Sequence, residues 1–410
     1  MSRREGLTRA ALLLAVIAAA TAFFELYAWE RMNDFRVYYK AAERILEGQN
    51  IYTTAEGFYQ YKYTPLLAVA MTPLTLLPQK AAGLSWLILN ALLLVACVRQ
   101  VQALVPGVSG RWIRLALPLA FFHHVTRELE LGQVNLICFF LLLRVIRSPQ
   151  GRWAGALLAA ATLIKPVYAI FALVWLLGRD HRRLAYYALG LAAGLALALP
   201  FWGGDALEYY RIGLANLSDS TWIAVRSPDN QSLWGVAFRF FSSHGEYPAL
   251  VYDLGSTLPL KWCVGALCLA VLGAQVYLTR SLYGAPADPP DRPAAMELCN
   301  YSLFITLMLL FSPLGWHYTQ LQLLLPLFLL YDRDPRFRQL APVYLLILFS
   351  IVLPFELLRR TLYYGLLIIG TKTAGVTLIW WRLLRLRGEV TGRSESPAPA
   401  RLSCADGEPG

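Results

Sequence analysis

Apolar residues in this chain are gathered into runs, many long enough to cross a bilayer, separated by short polar or basic segments. A spanning helix needs roughly 20 mostly apolar residues, or about 17 when the fit is tight. The first run, 7–28, follows Arg3, Arg4 and Arg9 and reads as a retained signal anchor rather than a cleaved leader. Residues 29–64 then turn polar and aromatic and form an expected external loop. Inside that loop Phe35, Tyr38, Ala42, Ile45 and Leu46 recur at helical spacing. This predicts an amphipathic helix lying in the membrane interface, with Asp34 in its first turn. Residues 64–78 are apolar but short and hold Pro65, Pro73 and Pro78, which predicts an interfacial or re-entrant helix.

Further runs lie at 84–101, 113–122, 134–143, 153–177, 184–200, 258–278, 298–311 and 321–330, with a last pair around 342–354 and 362–380. Lys165-Pro166 splits the run 153–177 into a hairpin, because proline lacks the helix donor and disfavours helix in the residue before it. The expected architecture is an all-α polytopic bundle of about twelve spans plus the interfacial helix. Gly190 and Gly194 form a GxxxG pair inside one span and read as a packing device.

Composition agrees: 57% of the 410 residues are hydrophobic, only 15% are charged, and the net charge is +11. A soluble domain is about 45–50% apolar and about 25% charged, so a soluble enzyme and a disordered chain are both excluded. The basic residues sit in short clusters between apolar runs, as the positive-inside bias requires, and do not form a nucleic-acid surface. Sorting by that bias puts 29–64 and 201–256 outside, and 281–294 and the C-terminus in the cytoplasm; Arg359–Arg360 is the exception. Residues 1–392 form one membrane domain, and 393–410, rich in Ser, Pro and Ala, form a disordered cytoplasmic tail. Cys97, Cys138, Cys263, Cys268, Cys299 and Cys404 make no CxxC pair and indicate neither a disulfide framework nor zinc. No Walker motif is present.

The polar exceptions collect on the external side. A carboxylate just past the first span, Asp34, would face Lys165 and the histidines His123, His124 and His317 from other segments. Such a site could hold an anionic lipid headgroup together with a polar acceptor. Asp34 reads equally as a helix cap or as a general base whose pKa partial desolvation would raise. Lys165 interrupts an apolar hairpin, either as a phosphate ligand or as a lysine snorkelling to the headgroups. His317 reads as a site residue or as an interfacial ring beside Trp316 and Tyr318. Asn230 and Gln231 either bind sugar hydroxyls or fold the long loop. Glu128 and Glu130, two apart, diverge on a helix, so no metal is expected; the stretch 127–130 reads as a solvated external loop shaping a cleft.

The segments DFRVYYKAAERILEGQNIY, YKYTPLLAVAMTPLTLLP and GQVN, the Lys165-Pro166 break, Asn230–Gln231–Ser232 and SPLGWHY resemble, in that order, the family 87 glycosyltransferases of the GT-C superfamily. The resemblance implies transfer of a sugar, most often mannose, from a polyprenyl monophosphate carrier to an acceptor hydroxyl on a glycan or glycolipid. It implies inversion at the sugar, no cofactor, and an active site on the outer face of the cell (inner) membrane. It also assigns Asp34 as the base and His317 to the donor phosphate, where Lys165, a point charge on a flexible stem, is expected beside it. Arg36, Tyr38, Tyr63, Gln133, Asn135, Asn230, Gln231 and Trp316 complete the expected substrate-binding set. The competing classes are a lipid-linked sugar flippase, which would place ionisable groups near the midplane and show internal repeats, and a non-catalytic subunit of an envelope assembly.

Overall fold

Backbone polar groups in lipid must be satisfied within the segment, so apolar runs of this composition can only become helices. A computed structural model describes residues 3–52, 60–108, 121–148, 150–202, 208, 211, 225–243, 248–283, 292–341 and 364–392. Regular structure there is helical: α1 (Arg3–Phe23), α2 (Asn33–Leu46), α3 (Pro65–Met71), α4 (Gln79–Leu104), α5 (Phe122–Leu131), α6 (Asn135–Arg147), α7 (Gly151–Ile164) and α8 (Ala172–Leu177). The order continues with α9 (His181–Trp202), α10 (Leu233–Phe241), α11 (Thr257–Tyr283), α12 (Arg292–Phe311), α13 (Leu324–Arg333), α14 (Tyr364–Ile368) and α15 (Thr371–Gly392).

Among the described residues four helices are long and apolar enough to cross a membrane: Leu13–Arg31, Gln79–Leu104, His181–Trp202 and Thr257–Thr279. A fifth crossing arises if α5 and α6, bent by 117° at their junction, count as one broken span. Pro65–Leu76, Gly151–Ile164, Pro166–Leu177 and Met296–Phe311 are apolar but shorter. The sequence count of about twelve takes such short runs as spans. The runs expected at 113–122 and 342–354 fall almost wholly outside the described residues, as do Arg359–Arg360, the tail 393–410 and much of 203–224.

Two large apolar clusters, with a small third between α10 and α11, organise the bundle. The largest joins α4, α6, α7, α8, α12, α13 and α15. The second packs α2 against α3, α4 and the end of the first helix through Phe24, Phe35, Tyr38, Leu67 and Trp86. The amphipathic spacing after Asp34 therefore does produce a helix, but protein covers its apolar side: Phe35, Tyr38 and Ala42 are wholly buried. The expected break at Lys165 is present. That residue is extended, ending α7, and Pro166 begins a 3-10 turn leading into α8. The GxxxG pair does the packing work expected of it. A Cβ on Gly190 would stand 2.8 Å from the Ala159 Cβ, and one on Gly194 would stand 2.2 Å from Leu163 Cδ1, so α9 lies directly on α7.

One expectation is corrected. Residues 123–131 are not a solvated loop: they form α5, with His124, Glu128 and Glu130 buried. The polar side chains are carried inward because Asn135 and the Leu136 amide just past α5, Arg127 within it and Arg31 from the first long helix receive them. Glu128 accepts from Asn135 Nδ2 at 2.7 Å and from the Leu136 amide at 3.2 Å, while Glu130 pairs with Arg127 and Arg31.

Candidate active site

α2 begins immediately after the first long helix, so its first turn sits where that helix ends. Met32 holds the cap position there without a side-chain cap bond. The Asp34 carboxylate, half-buried, instead accepts from Gln133 Nε2 at 2.7 Å. Gln133 reaches it because Gly132 closes α5 in the left-handed conformation, φ +70°. A Cβ on Gly132 would meet the Phe35 Cβ at 2.6 Å, so only glycine lets the α5–α6 turn approach α2 this closely. Trp86 Nε1 donates to the Gly132 carbonyl at 2.8 Å and fixes the turn from below.

Around this pair lies a phenolic and amide network. Tyr38 Oη is 3.0 Å from Tyr63 Oη and donates to Gln133 Oε1 at 3.4 Å, and Gln133 Nε2 also donates to Tyr318 Oη at 3.3 Å. The Tyr61 hydroxyl donates to the Thr64 carbonyl, and Thr64 Oγ1 donates to the Leu163 carbonyl at 2.7 Å. The Tyr63 loop is thereby tied to the backbone just before Lys165. Lys165 Nζ donates to Asn135 Oδ1 at 2.5 Å, and Asn135 passes the contact on to buried Glu128. Burial pushes the Asp34 carboxyl above its usual range; Lys165, the Gln133 bond, Arg127 and Lys62 oppose this without cancelling it. A carboxylate raised in pKa beside fixed positive charge can accept a proton and stay near anionic substrate groups.

A second polar cluster forms where 229–232 meets 312–318. Asn230 and Trp316 make a backbone bridge, and the His317 amide donates to the Asp229 carbonyl at 2.8 Å. The His317 ring, 2% exposed, lies parallel to His123 at 5.2 Å, with Nδ1 3.4 Å from Asp229 Oδ1. Burial pulls the His317 pKa down to about 4, although Asp229 opposes this. Burial pushes the Asp229 carboxyl up, but His317, Arg127 and Lys372 outweigh it and hold it below its ordinary value. Lys372 Nζ stands 3.1 Å from His124 Nε2 at the back of the cluster. Arg127 acts electrostatically on both Asp34 and Asp229 and so belongs to both groups.

Of the expected residues, Asp34, Tyr38, Tyr63, Gln133, Asn135 and Lys165 come together, and His317 and Trp316 sit in the adjoining cluster. Trp316 stacks on Tyr318, with ring planes 7° apart. Others are engaged elsewhere. Arg36 turns back to donate to the Trp29 carbonyl at 2.9 Å and lies over the Trp29 ring. Asn230 donates to the Val225 and Pro313 carbonyls and accepts from the Ser232 amide, the Ser232 hydroxyl and the Gly315 amide. Gln231 Nε2 donates to the Pro228 and Leu367 carbonyls. These bonds tie the loop 225–232 to residues 313–315 and 367. Asp229 and Lys372 were not singled out by sequence, while Arg127 was read only as part of a solvated loop and Tyr318 only as a neighbour of His317. The one signal that could have found Lys372 is an ionisable residue inside an apolar run. Among the described residues no group of three or more His, Cys, Asp or Glu side chains is placed to hold a metal ion.

The sequence model of glycosyltransferase family 87 matches residues 61–313. Asp34 precedes that stretch and His317 follows it, while Tyr63, Gln133, Asn135 and Lys165 lie inside. The chain is 25% identical to a polyprenol-phosphate-mannose-dependent alpha-(1-2)-phosphatidylinositol mannoside mannosyltransferase of Mycolicibacterium smegmatis. That match covers 69% of this chain and 66% of the relative, just under two thirds of its length. It is 26% identical to a protein of the same description from Mycobacterium tuberculosis, over 85% of this chain and 82% of the relative. A third relative, a polyprenol-phosphate-mannose-dependent alpha-(1-2)-phosphatidylinositol pentamannoside mannosyltransferase of M. tuberculosis, is 25% identical over 75% of this chain and 69% of its own.

Proposed function

The chain belongs to glycosyltransferase family 87, and from that premise we propose that it moves mannose from a polyprenyl monophosphate carrier to an acceptor hydroxyl. The acceptor class is a glycan or glycolipid, and the mannosylated phosphoinositides named for its relatives are the first to test. The reaction takes place at the outer face of the cell membrane, within a GT-C bundle of about twelve spans in which α2 sits at the interface. The donor lipid and the acceptor are the partners, and no cofactor takes part.

Asp34 carries the reading: a half-buried carboxylate, pushed up in pKa by burial and flanked by the charge of Lys165, at the end of the first long helix. As the acceptor oxygen bonds to the sugar C1, the C1–O bond to phosphate breaks. The acceptor proton passes to Asp34, and the bond electrons leave with the polyprenyl phosphate. One carboxylate suffices for a single displacement, and inversion of a β-linked mannosyl phosphate gives an α-mannoside. Polyprenyl phosphate is a good leaving group, so the site must supply positive charge more than a strong acid. Lys165 supplies it from the hairpin break, held in place by Asn135.

His317 is neutral before the donor arrives, because burial depresses its pKa to about 4. A phosphate brought to the ring adds the negative charge that stabilises imidazolium, with Asp229 on the Nδ1 side. Donor binding therefore draws a proton onto His317, which then donates to the phosphate. The deciding experiment is transfer from radiolabelled polyprenyl-phosphate mannose by Asp34→Asn. This variant keeps the shape but cannot accept a proton, so kcat falls by about 10²–10⁴-fold while donor binding persists. Retention of more than about a tenth of wild-type kcat, a loss smaller than base catalysis gives, places the base elsewhere.

A further inference from the structure

Beneath the site, α4 continues through the bundle. Gln100 follows Gly83, which touches Phe35, by 17 residues on the same helix, so it lies about 25 Å away at ~1.5 Å per residue. That is close to the thickness of a bilayer's hydrocarbon core, about 30 Å. There, between α1, α4 and α6, is a cavity of about 380 Å³, within the range of about 300–1,000 Å³ usual for small-molecule sites. Its walls are of two kinds. Leu13, Val16, Leu92, Val95, Ala96 and Phe140 make an apolar side, and Arg99, Gln100 and Arg144 make a polar one.

The polar side is unusual in having no internal use. Gln100 is 7% exposed, and neither its Nε2 nor its Oε1 has a hydrogen-bond partner in the protein. A buried polar group left unpaired is destabilising, so such groups in native structures call for a reason. Arg99 and Arg144, from α4 and α6, line the same cavity and are themselves exposed, and among the described residues no ion pair joins either to a carboxylate. Two unpaired guanidinium groups, a buried amide with both a donor and an acceptor free, and an apolar trough beside them match one chemistry. The phosphodiester of a membrane lipid fits the guanidinium pair, its ester carbonyl fits the amide, and an acyl chain fits the trough.

We propose that this cavity is a binding site for an anionic phospholipid of the leaflet opposite Asp34, separate from the donor and acceptor sites and independent of the transfer reaction. The bound lipid joins α1 to α4 and α6, so it stabilises the seam on which the first helix is seated. The test uses the full-length protein in detergent and reads thermal stability and native mass spectra with added phosphatidylglycerol, phosphatidylcholine or inorganic phosphate. Phosphatidylglycerol is expected to raise the Tm and to appear as a bound adduct, with phosphatidylcholine and inorganic phosphate doing neither.

Arg99→Ala/Arg144→Ala should weaken phosphatidylglycerol binding by about tenfold or more, the scale of a charge-assisted pair. Ala96→Trp, which fills the trough and keeps both arginines, should abolish the adduct. Equal binding of phosphatidylcholine, or full binding by both variants, overturns the proposal. Stabilisation by inorganic phosphate alone reduces the site to an anion site and also overturns it. If the double variant does not fold, Ala96→Trp alone decides.

Discussion

Gln133 Nε2 donates to Asp34 Oδ2 across 2.7 Å, although the two residues are 99 positions apart in the chain. The bond holds the carboxylate's direction and favours its ionised form, against the burial that pushes its pKa up. With Asp34 as the proposed base, activity needs it ionised and should fall as pH drops through that pKa. Gln133→Leu removes the bond and lets the pKa rise further. The acid limb of the kcat profile should therefore move to higher pH, and kcat at neutral pH should fall. A variant with lowered kcat and an unmoved acid limb would return Gln133 to a purely structural role.

Gly132→Ala tests the same contact from the backbone. A side chain there meets the Phe35 Cβ and must also adopt φ +70°. A non-glycine residue held in that region costs about 1–3 kcal/mol. Thermal unfolding should show a loss of that order, with kcat falling further than stability alone explains because Gln133 is displaced from Asp34.

Lys165→Ala and Asn135→Ala should raise the donor's apparent KM with a smaller effect on the acceptor's. Asn135 acts through Lys165, to which it is bonded at 2.5 Å, so the double variant should be little worse than Lys165→Ala. Additive losses would mean that Asn135 touches substrate directly.

The buried neutral state of His317 fixes two signs. Unfolded chains protonate this ring near pH 6.5, and the folded protein only near 4, so between those values the unfolded state holds more protons. Its contribution to stability is full above about 6.5 and is lost as pH falls towards 4. Replacing His317 by Gln should therefore flatten the stability decline on acidification. On the proposed role of His317 as a proton donor to the phosphate, donor binding should weaken as pH rises. Calorimetry in buffers of different ionisation enthalpy should show proton uptake in the wild type and none in His317→Gln.

Asn230→Ala removes five hydrogen bonds, three within 225–232 and two that join it to Pro313 and Gly315. Breaking a buried network of this kind should destabilise by several kcal/mol, on the order of 3–5, and lower activity by disordering His317. If Asn230→Ala instead keeps wild-type stability and raises only the KM for the sugar donor, the residue binds sugar after all.

What sequence can show is divided along a physical line. The break at Lys165 follows from one proline, the α7–α9 contact from two glycines four apart, and the helix after Asp34 from local spacing. Each is decided within a few residues. The inward turn of α5 is not, since Glu128 and Glu130 are received by Asn135, Arg127 and Arg31, two of them outside α5. Nor is the folding-back of Arg36 onto Trp29, or the pairing of Asp229 with His317. A polar residue's side of the fold depends on its partner, and that partner is named only by the tertiary structure. The family resemblance supplied Asp34 and His317, but not Arg127, which acts electrostatically on both clusters, nor Lys372, which stands behind His124 in the second.

The seam between 229–232 and 312–318 also sets an order of events during synthesis. Asp34, Gln133 and Lys165 are all made early and can meet once α7 is in place. The Asp229–His317 cluster cannot. Gln231 is fastened to the Leu367 carbonyl, and its own carbonyl accepts from Thr373 Oγ1, contacts reaching 136 and 142 positions forward. Loop closure over such distances comes late in folding. A growing chain thus has Asp34 and Lys165 side by side long before His317 can join them, and a ribosome-stalled or truncated product lacking α15 would display the first cluster without the second.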